Sequence, residues 1–205
     1  MHKGLDFTSR PIRFTDKAAL AFSGQKRVPV LRDGERVVHD SMAIFQYLDE
    51  ADSEHPLMGE PRDHQRAKVI ERLTRLPLGV PLMKILALRI HSVSDVADRD
   101  YFRQSREQSL GQPLESFTDP RGETRLFREA LKPLEGILAD QPFLEREVTG
   151  GVDYLVMGLL LWPRCLGAQP WEDTSAVGSW FKRLLSDYEQ RVGPIKRASV
   201  QNDGA

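Results

Sequence analysis

Apolar positions change their period along this chain. In the first part they come in short β-type runs, and from about residue 64 onward they recur three and four apart, as on one face of a helix. The pattern predicts an α+β molecule of two parts: a mixed N-terminal domain over residues 1–58 and an all-α bundle over residues 59–205. Residues 5–12 read as a short edge strand, with Pro11 at its far end. Residues 16–22 read as a short helix or irregular turn stopped by Ser23 and Gly24. The clearest local signal is residues 28–39, where two β-branched runs flank Asp33-Gly34, a dipeptide suited to a tight hairpin. Asp40-Ser41 can then cap a helix whose apolar positions are Met42, Ile44, Phe45 and Leu48.

Pro56, Gly59 and Pro61 give residues 55–62 the composition of a linker, and the domain boundary is placed there. Six helical segments follow, at residues 64–76, 82–91, 98–110, 123–140, 153–162 and 176–192. Leu126, Ala130, Leu134, Ile137 and Leu138 show the spacing of a bundle helix. The polar tail, residues 199–205, is expected to be disordered.

Composition narrows the possible functions. Lys plus Arg (29) against Asp plus Glu (30) leaves a net charge of -1, so there is no footprint for nucleic acid or an anionic membrane surface. The longest apolar run, residues 76–88, is interrupted by two prolines and Lys84 and falls short of the ~20 residues of a membrane span. A single cysteine, Cys165, fits a reducing compartment, and the cytoplasm is the expected location. The five histidines show no zinc-type spacing, so no metal site is expected. Asp49, Glu50 and Asp52 read as a solvated acidic face. Arg103, Arg106 and Glu107 read as a surface ion pairing. Trp162 could line a pocket or fill the core, whereas Trp171 and Trp180 favour the core.

The run Arg27-Val-Pro-Val-Leu-Arg-Asp-Gly34, followed by Asp40-Ser-Met-Ala-Ile-Phe-Gln-Tyr-Leu48, resembles the glutathione-site motif of glutathione S-transferases. Tyr101-Phe-Arg-Gln-Ser-Arg-Glu107, Phe127-Arg-Glu-Ala-Leu-Lys-Pro-Leu134, Gln141-Pro-Phe-Leu144 and the stretch from Gly151 to Cys165 extend the likeness toward a bacterial, β-etherase-like branch. The resemblance implies a thioredoxin-like N-terminal domain and glutathione as cosubstrate. It implies a cis peptide before Pro29, with Val28 pairing with the tripeptide backbone and Arg27 standing where the family often has Lys or Gln. It also implies that Asp40 and Ser41 receive the γ-glutamyl end at a helix N-terminus. A small-molecule electrophile, aromatic or an ether, and a homodimer are implied in the same way. Relative to that family the chain is expected to lack the first strand and helix, about 20 residues, and with them the thiol-activating Ser, Tyr or Cys. The catalytic residue is therefore unknown, and a non-catalytic binding or dimerisation protein is the alternative. The family's helix-opening Ser/Thr-x-x-Asp becomes Gly150-Gly-Val-Asp153. Asp153 is expected to tie down the core helix by accepting main-chain N–H bonds.

Overall fold

The computed structural model describes residues 2–59 and 61–198, and the predicted tail lies outside them. Strands β1 (Val30–Asp33) and β2 (Arg36–His39) pair antiparallel, with Val30 opposite His39 and Asp33 opposite Arg36. The two-residue turn is therefore Gly34-Glu35, one position later than the sequence suggested. Gly34 alone of the two has a positive φ, +56°, the pattern of a type II′ turn.

Residues 5–12 form no strand, contrary to expectation. Among the described residues the sheet has two members, so this extended stretch has no neighbour whose main chain it can pair with, and Pro11 lacks a donor in any case. The helix or turn expected at residues 16–22 is a 3-10 turn, Ala18–Ser23, anchored by Leu20 at 4% exposure and closed by Gly24 at φ +66°.

Helix α1 (Ser41–Ala51) begins at the predicted Asp40 cap. Its Met42 and Phe45 pack against the helical domain. The contact is close: a Cβ on Gly151 would lie 2.8 Å from the Phe45 ring.

Helix α2 (Pro61–Val93) fuses two segments that the sequence reading separated at Pro77 and Pro81. Each proline removes one helical donor and crowds the preceding turn. The helix continues because burial holds it on both sides of the prolines, at Ala67 before them and at four positions from Leu78 onward. Leu78, Leu82, Leu86 and Ala87 are all fully buried, and each leucine contributes ~1.5–3 kcal/mol. The continuous helix also revises the reading of length, since Ala67–Val93 is long and apolar enough to cross a membrane on those two criteria. In this fold Leu78, Leu82 and Leu86 instead fill the centre of the bundle, with Phe127, Leu131 and Leu134 of α4 (Arg121–Asp140) and Val152, Val156 and Leu160 of α5 (Gly151–Cys165). Trp180, Phe181 and Leu184 of α6 (Ala176–Val192) close the core. Between α2 and α4, helix α3 (Val96–Leu110) and a 3-10 turn at Leu114–Phe117 enclose a smaller cluster of Ala87, Phe102, Leu114 and Phe117.

Asp153 behaves as expected. Fully buried at the start of α5, it accepts the N–H groups of Leu144 (3.0 Å) and Gly150 (2.9 Å) and, in addition, the Trp180 indole N–H (2.8 Å). Burial pushes its carboxyl up, against the pull of these three donors. Trp171, at 5% exposure, is also core, whereas Trp162 is 46% exposed on α5. Arg103 pairs with Glu107 as read and reaches Glu115 as well.

Candidate functional site

The hairpin register assembles the site. Because Val30 faces His39, residues 27–29 before β1 and Asp40-Ser41 after β2 emerge at the same end of the hairpin. All five sequence-predicted residues therefore share one region of the surface. Arg27, Val28, Pro29 and Asp40 are exposed, Ser41 is partly so, and the Val28–Pro29 peptide is cis. No hydrogen bond among the described residues engages the Val28 main chain or the Ser41 hydroxyl.

Asp40 is the residue under strain. It has φ +74° and ψ +134°, the one positive φ outside glycine among the described residues, and costs on the order of 1–3 kcal/mol. Two features hold it there. Its Oδ1 accepts from Met42 N (2.9 Å) and Ala43 N (3.4 Å), and its carbonyl accepts from Ile44 N. Helix capping and a ligand role are thus not alternatives: the cap fixes the carboxylate's direction and leaves Ser41 at the head of α1 with its hydroxyl uncommitted. With no acidic residue in the first turn of α1, this end of the helix suits a carboxylate placed beside Ser41, while the Asp40 charge suits a nearby ammonium group.

Two clamps hold this unit, the first closing it on itself and the second tying it to the helical domain, and both are electrostatic features the sequence reading missed. In the first, the almost wholly buried Lys3 side chain pairs with Asp49 (2.9 Å) and donates to the carbonyls of Asp52 and His55. Asp49 also accepts from Leu57 N (2.8 Å) and Met58 N (2.7 Å). Burial alone would raise the Asp49 carboxyl, but Lys3 and these two N–H donors hold it below its ordinary value. The predicted solvated acidic face is therefore corrected at Asp49, which organises the linker. Beside it, His2 Nδ1 lies 3.0 Å from the Tyr154 hydroxyl, and burial, then Lys3, push the His2 pKa down.

The second clamp is on α3. Asp98, 4% exposed, accepts from Phe14 N (3.3 Å), Thr15 N (3.0 Å) and Thr15 Oγ1 (2.6 Å), and Arg13 pairs with Asp95. Burial would raise Asp98, and the Thr15 and Phe14 donors outweigh it and keep it low. Asp95 is the N-cap of α3, which begins two residues before the predicted segment. Nothing local marks Lys3 or Asp98, whose partners lie 46 and 83 residues away in sequence.

Cys165 sits in the last turn of α5, where burial pushes its thiol up, which removes it as an activated thiolate.

Comparison with known proteins agrees with this geometry. The family model for the glutathione S-transferase N-terminal domain matches residues 1–56, and that for the glutathione S-transferase C-terminal domain matches residues 67–192. Glutathione S-transferase Z1 of Arabidopsis thaliana is 35% identical over 92 residues, 42% of this chain, and the match spans only 41% of that relative's length. Glutathione transferase GSTFuA2 from Phanerochaete chrysosporium superposes with a TM-score of 0.80 at 21% identity, covering 91% of this chain and 86% of that one. A glutathione S-transferase of Ceriporiopsis subvermispora, solved in complex with glutathione, gives 0.79 at 17% identity, with coverage of 99% and 88%. At such identities the likeness of these structures is one of fold.

Proposed function

The chain belongs to the glutathione S-transferase family, and on that premise we propose that it binds glutathione at the head of α1 and passes its sulfur to an electrophilic carbon. The observation that carries this reading is Asp40, held in a strained conformation beside an uncommitted Ser41 at the same end of the hairpin as Val28 and Pro29. Ser41 and the α1 N-terminus receive the γ-glutamyl carboxylate, Asp40 faces the ammonium group, and the exposed Val28 offers its main chain to the cysteinyl unit. Arg27 supplies a donor toward the tripeptide backbone.

The bound thiolate supplies the nucleophile. The resemblance of the helical segments to the β-etherase-like branch supports an aromatic or aryl ether substrate. For an ether, a C–S bond forms as the C–O bond breaks, and the departing phenolate takes a proton from water. A homodimer is supported by Val69, Leu76 and Val80, which lie on one side of α2 and are 55%, 69% and 44% exposed. The single-cysteine composition supports a cytoplasmic setting.

Titration calorimetry with glutathione tests the site. Asp40→Asn keeps the helix cap, since Asn caps as well as Asp, but loses the charge. Ser41→Ala loses the free hydroxyl. A charge-assisted hydrogen bond contributes ~1.5–3 kcal/mol, so each variant should weaken binding about 10- to 100-fold with little change in stability. Wild-type affinity in both variants would place glutathione elsewhere. A second reading, binding without turnover, is favoured by the two-stranded sheet, in which β1 pairs with β2 alone among the described residues. Thiol consumption with an aryl ether or an activated aromatic electrophile separates the two.

A further inference from the structure

The segment that leads toward Val28 and Pro29, residues 13–17, meets the helical domain on one face of α3. Asp95, Asp98, Tyr101 and Phe102 are spaced so that they line one side of that helix, and each meets the same short segment. Arg13 pairs with Asp95, and Phe14 and Thr15 donate to Asp98. The Phe14 ring lies 5.6 Å from that of Phe102, and Lys17 Nζ lies 4.6 Å above the Tyr101 ring. Asp98 is the one member of this set with a buried carboxylate, and the three donors it accepts from belong to residues 14 and 15.

From Thr15 to the cis-proline loop the chain is short and internally braced. Lys17 N donates to the Thr15 carbonyl, Ala19 N to Asp16 Oδ1, Leu20 N to the Lys17 carbonyl, and Ser23 Oγ accepts from Gln25 N. Leu20 is buried, and Arg32 of β1 lies over the Phe22 ring. The Thr15 anchor thus continues into a braced stretch, residues 15–25, whose turn Ala18–Ser23 also packs against β2, and Val28 follows three residues later.

We propose that Asp98 is a positioning residue for the glutathione site: it anchors residues 13–17 on α3 and so fixes where the Val28 main chain stands relative to Ser41. This rests on the glutathione reading above, which supplies the ligand. Asp98 itself touches no part of that ligand. Its effect should therefore fall on cosubstrate binding, with the chemistry left intact.

The test compares full-length wild type with Asp98→Ala, Asp98→Asn and Thr15→Val. Tryptic cleavage after Arg13 and Lys17 reads the anchoring, and titration with glutathione reads the consequence. Tryptophan fluorescence reports on the helical domain alone, because all three tryptophans lie beyond residue 160. Asp98→Ala should be cut at least tenfold faster at these two sites and bind glutathione at least tenfold more weakly, with the helical domain still folded by its tryptophan emission in the absence of urea. An asparagine side chain keeps one acceptor oxygen for Thr15, so Asp98→Asn should fall between Asp98→Ala and wild type. Thr15→Val loses the hydroxyl bond alone and should be the mildest of the three, which keeps the test open if Asp98→Ala fails to fold. Where turnover is measurable, KM for glutathione should rise while kcat at saturation holds. Glutathione affinity equal to wild type in a variant that is cut faster would overturn the positioning role, and unchanged cleavage would overturn the anchor itself. Should wild type bind no glutathione, the glutathione reading falls, and with it the positioning role. The cleavage rates would still decide whether Asp98 anchors the segment.

Discussion

Replacing Asp153 by alanine should be the most damaging single-residue change in the helical domain. The side chain is fully buried and satisfies three donors, Leu144 N, Gly150 N and Trp180 Nε1, and both Leu144 and Trp180 are themselves fully buried. Removing it strands all three where water cannot reach them. An unsatisfied buried donor costs ~1–3 kcal/mol, so the gross loss is about 3–9 kcal/mol. Part of this is offset, because the carboxylate is itself costly to bury, as the upward push on its pKa shows. A net loss of ~3–5 kcal/mol remains, against a total stability of about 5–15 kcal/mol for a domain. With a urea slope of ~2–3 kcal/mol/M, the midpoint should fall by roughly 1–2.5 M, read by tryptophan fluorescence. Asp153→Asn separates the contributions. Its remaining oxygen can serve Leu144 and Trp180, but its amide then faces the Gly150 N–H donor to donor, so it should lose about 1–3 kcal/mol. A loss under ~1 kcal/mol for Asp153→Ala, or equal losses for both variants, would refute the assignment of Asp153 as a three-way acceptor.

Two glycine substitutions should have opposite signs. A Cβ on Gly178 would collide with the Glu172 carbonyl oxygen, so Gly178→Ala should cost at least ~1–3 kcal/mol, whereas Gly158 in α5 has nothing within 4 Å and Gly158→Ala should stabilise by up to ~1 kcal/mol; thermal melts of the two variants check this. Asp49 and Asp98 have depressed pKa values, so the stability they add is complete above the ordinary aspartate value of about 3.9 and is lost as pH falls through their lower folded values. His2, pushed down by burial and Lys3, adds a loss that begins as pH drops below about 6.5. Urea midpoints from pH 7 to pH 3 should therefore fall less steeply in Asp98→Asn than in wild type, and parallel curves would contradict the Asp98 assignment. Leu76→Glu on the exposed side of α2 should convert a dimer to monomer in sedimentation analysis without loss of helix content.

Local chemistry was enough to read much of this protein from its sequence. The Asp33-Gly34 signal located the hairpin to within one residue, because a tight turn needs a residue tolerant of positive φ. Asp40 was legible as a cap from its own chemistry, whereas its grouping with Ser41, Val28, Pro29 and Arg27 came from the likeness to a family motif; one hairpin brings these groups, all within fifteen positions, together. Asp153 was legible through the likeness of Gly150-Gly-Val-Asp153 to a family's helix-opening motif, and its two main-chain partners, Leu144 and Gly150, are near in sequence.

Tertiary structure decided what depends on distant partners. Pro77 and Pro81 are breakers by any local rule, and only the burial of Leu78, Leu82 and Leu86 against α4 and α5 makes α2 continuous. Residues 5–12 have strand composition and form no strand, because a strand needs a neighbour to accept its hydrogen bonds. Asp49 looks solvated until Lys3 meets it, and Asp98 is one more acid on a polar helix until Thr15 arrives from 83 positions away. A carboxylate's role is set by the donors around it, and where those come from distant positions in the chain the fold alone brings them there.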